Sequence, residues 1–157
     1  MSEKNIWDWT ISDFLAESAS SAPTPGGGSV SAYVGALGAS MVCMVANLTL
    51  GKEKYQHVEN EVKEILSQAE KCLKELKDGL SEDIAVFNKF MAAYRLPKDS
   101  KKQIAEREDQ IQKILLKATE SPLQVARQCL AVIQLAKRLA PIGNKGAISD
   151  VGVAAYL

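Results

Sequence analysis

Asp83 falls on the same helical side as Leu80, Ile84, Phe87, Met91 and Tyr94 when successive residues are stepped by about 100°. A carboxylate inside such an apolar stripe must be paired, desolvated or turned toward a cleft. Burial raises the pKa of a carboxyl group and suits it to proton transfer near neutral pH. An ion pair or a helix-capping contact is the purely structural alternative. Asp150 is a second candidate, beside Ser149 at a helix start and close in sequence to Asn144 and Lys145. Ser and Asp are also ordinary capping residues, so that position reads equally well as architecture.

Asn47 is the one amide in a long stretch without charge. Burying it without partners would cost about 1–3 kcal/mol, so it is expected to bond a neighbouring backbone or a substrate amide. Lys52, Lys54, Arg95, Lys98 and Lys145 flank helix ends and could receive an acidic ligand, although such lysines are commonly only solvated. His57 is the sole histidine, which rules out a multi-histidine metal site. A Ser-His-Asp arrangement is possible in principle, but a histidine at a helix start more often belongs to the surface. With no cysteine cluster either, no metal site is expected.

The stretch PTPGGGS places Pro25, Gly26, Gly27 and Gly28 at the head of that uncharged segment. Glycines let backbone N–H groups point at a ligand at the positive end of a helix, which is how anions are held. No lysine follows them as in a nucleotide-binding phosphate loop. A tight turn with close packing explains the same residues.

The elements that must position these groups are helices. Thr10 or Ser12 caps a first helix running to about Ser18, with Trp9, Phe14 and Leu15 on its apolar side. The uncharged helix spans Ser29 to Leu50 and stops at Gly51, a natural left-handed terminator. A long helix follows from Tyr55 to Tyr94, bent near Gly79, and ends before Pro97. Ser100 caps a charged helix, and Ser121 with Pro122 reads as the cap and first turn of another. Pro141 and Gly143 break that one, and Ser149 with Asp150 opens a last helix that ends with the sequence. No stretch alternates with period two, so the fold class is all-α: a bundle of five to six helices in a single domain over 1–157.

The uncharged helix is long enough to span a membrane. About half of it is Gly, Ala, Ser, Thr or Asn, no basic cluster precedes it, and every other helix is amphipathic. A central helix buried on all sides is therefore expected, and no membrane partner. Its strips Ser31, Gly35, Ala39 and Gly28, Ala32, Ala36, Ser40 let neighbouring helices, or a second subunit, approach closely. Nineteen Lys plus Arg balance nineteen Asp plus Glu, so no field draws in nucleic acid. Cys43, Cys72 and Cys129 lie far apart among apolar residues, and the opening MSEKNIWDW is polar and aromatic; together they predict a reducing cytoplasm.

Taken in order, PTPGGGS, MVANLTLGKEKY, EDIAVFNKFMAAYRLPK, ATESPLQVARQC and GNKGAISDVGVAA resemble the cyclodeaminase/cyclohydrolase family from about Trp9 to the end. The resemblance implies an all-helical subunit, a homodimer, and a tetrahydrofolate derivative as substrate with no other cofactor. It implies water addition to 5,10-methenyltetrahydrofolate or loss of ammonia from 5-formiminotetrahydrofolate. Asp83 would then transfer a proton or stabilise the cation, with Asp150 as its rival. Asn47, Asn144 and Ser149 would position the pterin, Pro25 to Gly28 would line the pocket, and Lys52, Lys54 or Lys145 would hold the glutamate tail. Family members continue past ISDVGVAA through further helices, which implies apolar surface near Leu157 for a partner to cover, or a pocket left incomplete. The competing class is a noncatalytic helical module for dimerisation or folate binding.

Overall fold

The computed structural model describes residues 5–157 of the chain; Met1–Lys4, the first residues of the polar opening, lie outside them. It is an all-α bundle, with no strand among the described residues. The α-helices are α1 (Ile11–Ser18), α2 (Gly27–Thr49), α3 (Glu59–Tyr94), α4 (Lys101–Leu139) and α5 (Ile148–Tyr156). Short 3₁₀ turns lie at Ile6–Asp8, Glu53–Val58 and Lys145–Ala147. The chain divides into two compact units, Met1–Val30 with Gly79–Leu123, and Ser31–Asp78 with Gln124–Leu157.

In the first unit the start of α1 is fixed by a reciprocal cap. The Asp13 amide donates to Thr10 Oγ1 at 3.1 Å, and the Thr10 amide donates to Asp13 Oδ2 at 3.3 Å. Thr10, and not Ser12, is therefore the cap. Ser100 and Gln103 do the same for α4, with the Gln103 amide on Ser100 Oγ at 3.3 Å and the Ser100 amide on Gln103 Oε1 at 3.0 Å. Phe14, Leu80, Val86 and Ala93 form the apolar interior. Arg107 ties α4 to the end of α3: its guanidinium lies 4.7 Å from the Tyr94 ring centre and its Nε donates to the Tyr94 carbonyl at 3.1 Å.

One helix boundary departs from expectation. Ser121 and Pro122 open no new helix, because α4 runs unbroken from Lys101 to Leu139 with Pro122 inside it. An interior proline removes one backbone bond and costs about 3 kcal/mol. Here Ser121 and Val125, on either side of it, are buried while Pro122 itself is exposed. Burial of the inner face thus outweighs the local breaking tendency. α3 runs through Gly79 as one long helix, as expected, and the segment from Tyr55 begins as a 3₁₀ turn before α3 takes over at Glu59.

In the second unit the small residues of α2 act as read. A Cβ at Gly35 would stand 2.7 Å from Cys129 Sγ, and one at Gly38 would stand 3.1 Å from the Ala154 carbonyl. Ala32, Ala36, Ala39, Val42, Val45 and Ala46 are buried alongside them. The helix is nevertheless not buried on all sides: Leu37 is 41% exposed and Leu48 42%, and Asn47 is exposed as well. Asn47 therefore carries no desolvation cost, and the expectation of a buried amide fails. α2 is long and apolar enough to cross a membrane, but 56% of its most apolar stretch is buried within the protein, as in a core helix. Burial pushes the Cys43 thiol up to about 11 and raises Cys72 and Cys129 in the same direction, leaving all three as neutral thiols at pH 7.

Gly51, with φ of 72°, ends α2 as predicted. Thr49, fully buried, holds the corner beyond it by donating to the Val45 carbonyl at 2.7 Å and accepting from the Asn144 amide at 2.9 Å. Thr49→Val would keep the shape and leave that amide without a partner. Urea denaturation of the variant is expected to show a loss of about 1–3 kcal/mol.

Candidate active site

The first unit assembles a carboxylate at the head of α2. Gly26 accepts the first helical bond of α2 from Val30 at 3.0 Å, so the free N–H groups of the helix begin within the glycine run. Ser29 follows the three glycines, is completely buried, and donates its hydroxyl to Asp83 Oδ2 at 2.7 Å. The carboxylate stands against Gly28 so closely that a Cβ there would lie 2.8 Å from Asp83 Cγ and overlap Oδ1. Only glycine leaves room for it. Among the described residues Asp83 forms no ion pair, so the alternative of a structural salt bridge is not what holds it.

This placement changes the reading of the glycine loop as an anion site. The positive end of α2 already faces an anion of the chain itself, the Asp83 carboxylate, which the helix dipole favours. A second anion brought there would meet like charge. A cation or a neutral, polarisable group would meet attraction instead.

Asp83 also lines a slot of about 240 Å³ with Val86, Phe87, Phe90, Leu115, Ala118 and Ser121. Phe87 and Phe90 lie one and two turns beyond Asp83 on the same side of α3. A second, wider cleft of about 640 Å³ is bounded by Trp9, Thr24, Pro25, Ile84 and Asn88 among others. Of the residues singled out from sequence, Pro25, Gly26, Gly27, Gly28, Asp83, Arg95 and Lys98 fall in this unit.

The remaining candidates belong to the second unit. Asn144 accepts from the Gly146 amide at 3.0 Å and donates its Nδ2 to the Leu48 carbonyl at 3.0 Å, so both ends of its amide tie the chain to itself. The Tyr55 hydroxyl accepts from the Lys145 backbone amide at 3.1 Å, and the Tyr55 ring lies 5.5 Å from Lys54 Nζ. Both lysines are exposed, as is Lys52. Ser149 is exposed and caps nothing, since α5 begins at Ile148 after Ala147 with no side-chain cap. Asp150 lies half-buried in the first turn of α5. Two groups escaped sequence reasoning: Ser29, read only as the first residue of its helix, and Ser121, read as a cap.

The formiminotransferase-cyclodeaminase family model matches residues 10–157. A methenyltetrahydrofolate cyclohydrolase from Methylorubrum extorquens is 46% identical over 145 residues, which cover 92% of this chain and 70% of that protein. A formimidoyltransferase-cyclodeaminase from Rattus norvegicus is 29% identical over 153 residues, 98% of this chain but only 28% of that longer protein. A solved structure of formiminotetrahydrofolate cyclodeaminase from Thermotoga maritima superposes with a TM-score of 0.83 at 32% identity, covering 97% of this chain and 72% of that one.

Proposed function

The chain belongs to the formiminotransferase-cyclodeaminase family, and on that premise we propose that it is a methenyltetrahydrofolate cyclohydrolase, adding water to 5,10-methenyltetrahydrofolate to give 10-formyltetrahydrofolate. The observation that carries the reading is the Asp83 carboxylate, fixed by Ser29 at 2.7 Å on the rim of an aromatic slot. The methenyl bridge is a cationic amidinium. A fixed carboxylate beside its carbon attracts that charge and accepts a proton from the attacking water. The tetrahedral adduct then loses its bond to N5, which takes up a proton from the same carboxyl, and the formyl group stays on N10. One proton is released to solvent overall, and the sequence of steps is acid–base chemistry that calls for no metal or redox cofactor.

Asp83 is preferred to Asp150 because it lies at a slot with a hydrogen-bonded anchor. The formiminotetrahydrofolate cyclodeaminase reaction is the second reading, favoured by the likeness to the solved cyclodeaminase from Thermotoga maritima. It ends at the same amidinium: N10 attacks the formimino carbon and gives its proton to Asp83, which returns it to the departing nitrogen as the C–N bond breaks and ammonia leaves. The two separate on purified protein: loss of methenyltetrahydrofolate absorbance above the spontaneous rate marks the first, and its appearance from the formimino compound marks the second. Neither change would remove both, leaving the noncatalytic module.

The proposal also includes a cytoplasmic homodimer, with a folate derivative and a second copy of the chain as partners and neither nucleic acid nor membrane. The exposed leucines of the uncharged α2, Leu37 and Leu48, support self-association. Sedimentation equilibrium is expected to give twice the 17.0 kDa chain mass, and Leu37→Lys to shift it toward the single chain.

A further inference from the structure

Ser121 lies in the interior of α4, 6% exposed, and its hydroxyl has no hydrogen-bond partner. Serine and threonine within a helix ordinarily bond the carbonyl four residues back. This chain does so at Ser40 to Ala36 (2.9 Å), Thr49 to Val45 (2.7 Å) and Thr119 to Leu115 (3.0 Å). Ser121 does not, although burying an unsatisfied hydroxyl is unfavourable. It lines the slot that holds Asp83. Next to it, Pro122 has no N–H to give the carbonyl of Ala118, a residue that also borders the slot. Apart from Asp83, the slot is lined by apolar residues and by Ser121, whose buried hydroxyl lacks a partner on the same stretch of α4 where the Ala118 carbonyl lacks its helical donor.

We propose that Ser121 is the hydrogen-bonding anchor for the fused ring of the substrate: a flat heterocycle with N–H and C=O groups at its edge, packed against Phe87 and Phe90 and held with its reacting carbon at Asp83. The slot, about 240 Å³, is smaller than the 300–1,000 Å³ of sites that enclose whole drug-sized ligands, so it takes the ring and leaves the rest of the molecule outside. An amide-like edge complements a hydroxyl that donates and accepts and a carbonyl that accepts. The inference rests on the folate reading above.

The test is Ser121→Ala in the full chain, compared with wild type in tetrahydrofolate binding by titration calorimetry, in steady-state kinetics and in thermal melting. Losing one substrate hydrogen bond is expected to weaken binding and raise KM about ten-fold. Removing an unpartnered hydroxyl from a helix interior is expected to leave the melting temperature unchanged or higher. A structural serine would give the opposite pattern, a lower melting temperature with unchanged KM, and that result overturns the assignment. Wild-type binding matched by the variant also overturns it while leaving the folate reading intact. Wild-type protein that binds no tetrahydrofolate brings down both.

Discussion

Replacing Asp83 by asparagine is expected to lower kcat about 10²–10⁴-fold while the protein remains folded. The amide keeps the shape of the carboxylate and can still accept the Ser29 hydroxyl that now reaches Oδ2 at 2.7 Å, so stability should change by no more than about 1 kcal/mol. Two things are lost together: the group that takes the proton from water, and the negative charge that faces the amidinium. The drop corresponds to about 3–5 kcal/mol of transition-state stabilisation. Initial rates on methenyltetrahydrofolate at saturating substrate, corrected for spontaneous hydrolysis, measure it. A variant with undiminished kcat would pass the proton-transfer role to another group, with Asp150 first in line.

Gly28→Ala separates position from chemistry. The added methyl would overlap Asp83 Oδ1 and stand 2.8 Å from Cγ and 3.0 Å from Oδ2. The backbone cannot yield easily in the first turn of α2, so the carboxylate must rotate away and give up its bond to Ser29. Alanine gains up to about 1 kcal/mol in helix propensity over glycine, and the broken hydrogen bond removes about as much. The melting temperature should therefore move by only about 2–4 °C in either direction for a chain of this size. Activity should fall about 10²-fold, because a displacement near 1 Å at a reacting group has that effect. Gly152→Ala in α5, where an added Cβ meets nothing within 4 Å, is the control for alanine's helix preference alone and should stabilise without loss of rate. Equal activity in the two variants would mean that Asp83 tolerates movement and that its fixed placement is not what matters.

Much of this architecture could be read from residues in order, because it depends on local rules. Thr10 caps α1, Gly51 stops α2 and Ser100 caps α4, each through contacts within four residues. Asp83 was visible as a carboxylate in an apolar stripe. What could not be read depends on distant partners. Ser29 looks like any serine after glycines; its role comes from Asp83, fifty-four positions away. Pro122 obeys a breaking rule when considered locally, yet the buried residues on either side of it carry α4 through. Asn47 seemed buried because its helix has no charge, but absence of charge does not specify which side meets the interior. Ser121 reads as a cap, since Ser-Pro commonly starts helices, and only its burial beside the slot gives it another role.

The Asp83 carboxylate is proposed to act on the amidinium bridge of folate. The absorbance of 5,10-methenyltetrahydrofolate, followed after addition of purified wild-type protein and, in parallel, of Asp83→Asn at equal concentration, tests that claim most directly. Loss well above the spontaneous rate is expected with wild type, and a rate at or near background with the variant. Loss at the same rate with both proteins, or no enzyme-dependent change from either the methenyl or the formimino compound, would contradict it.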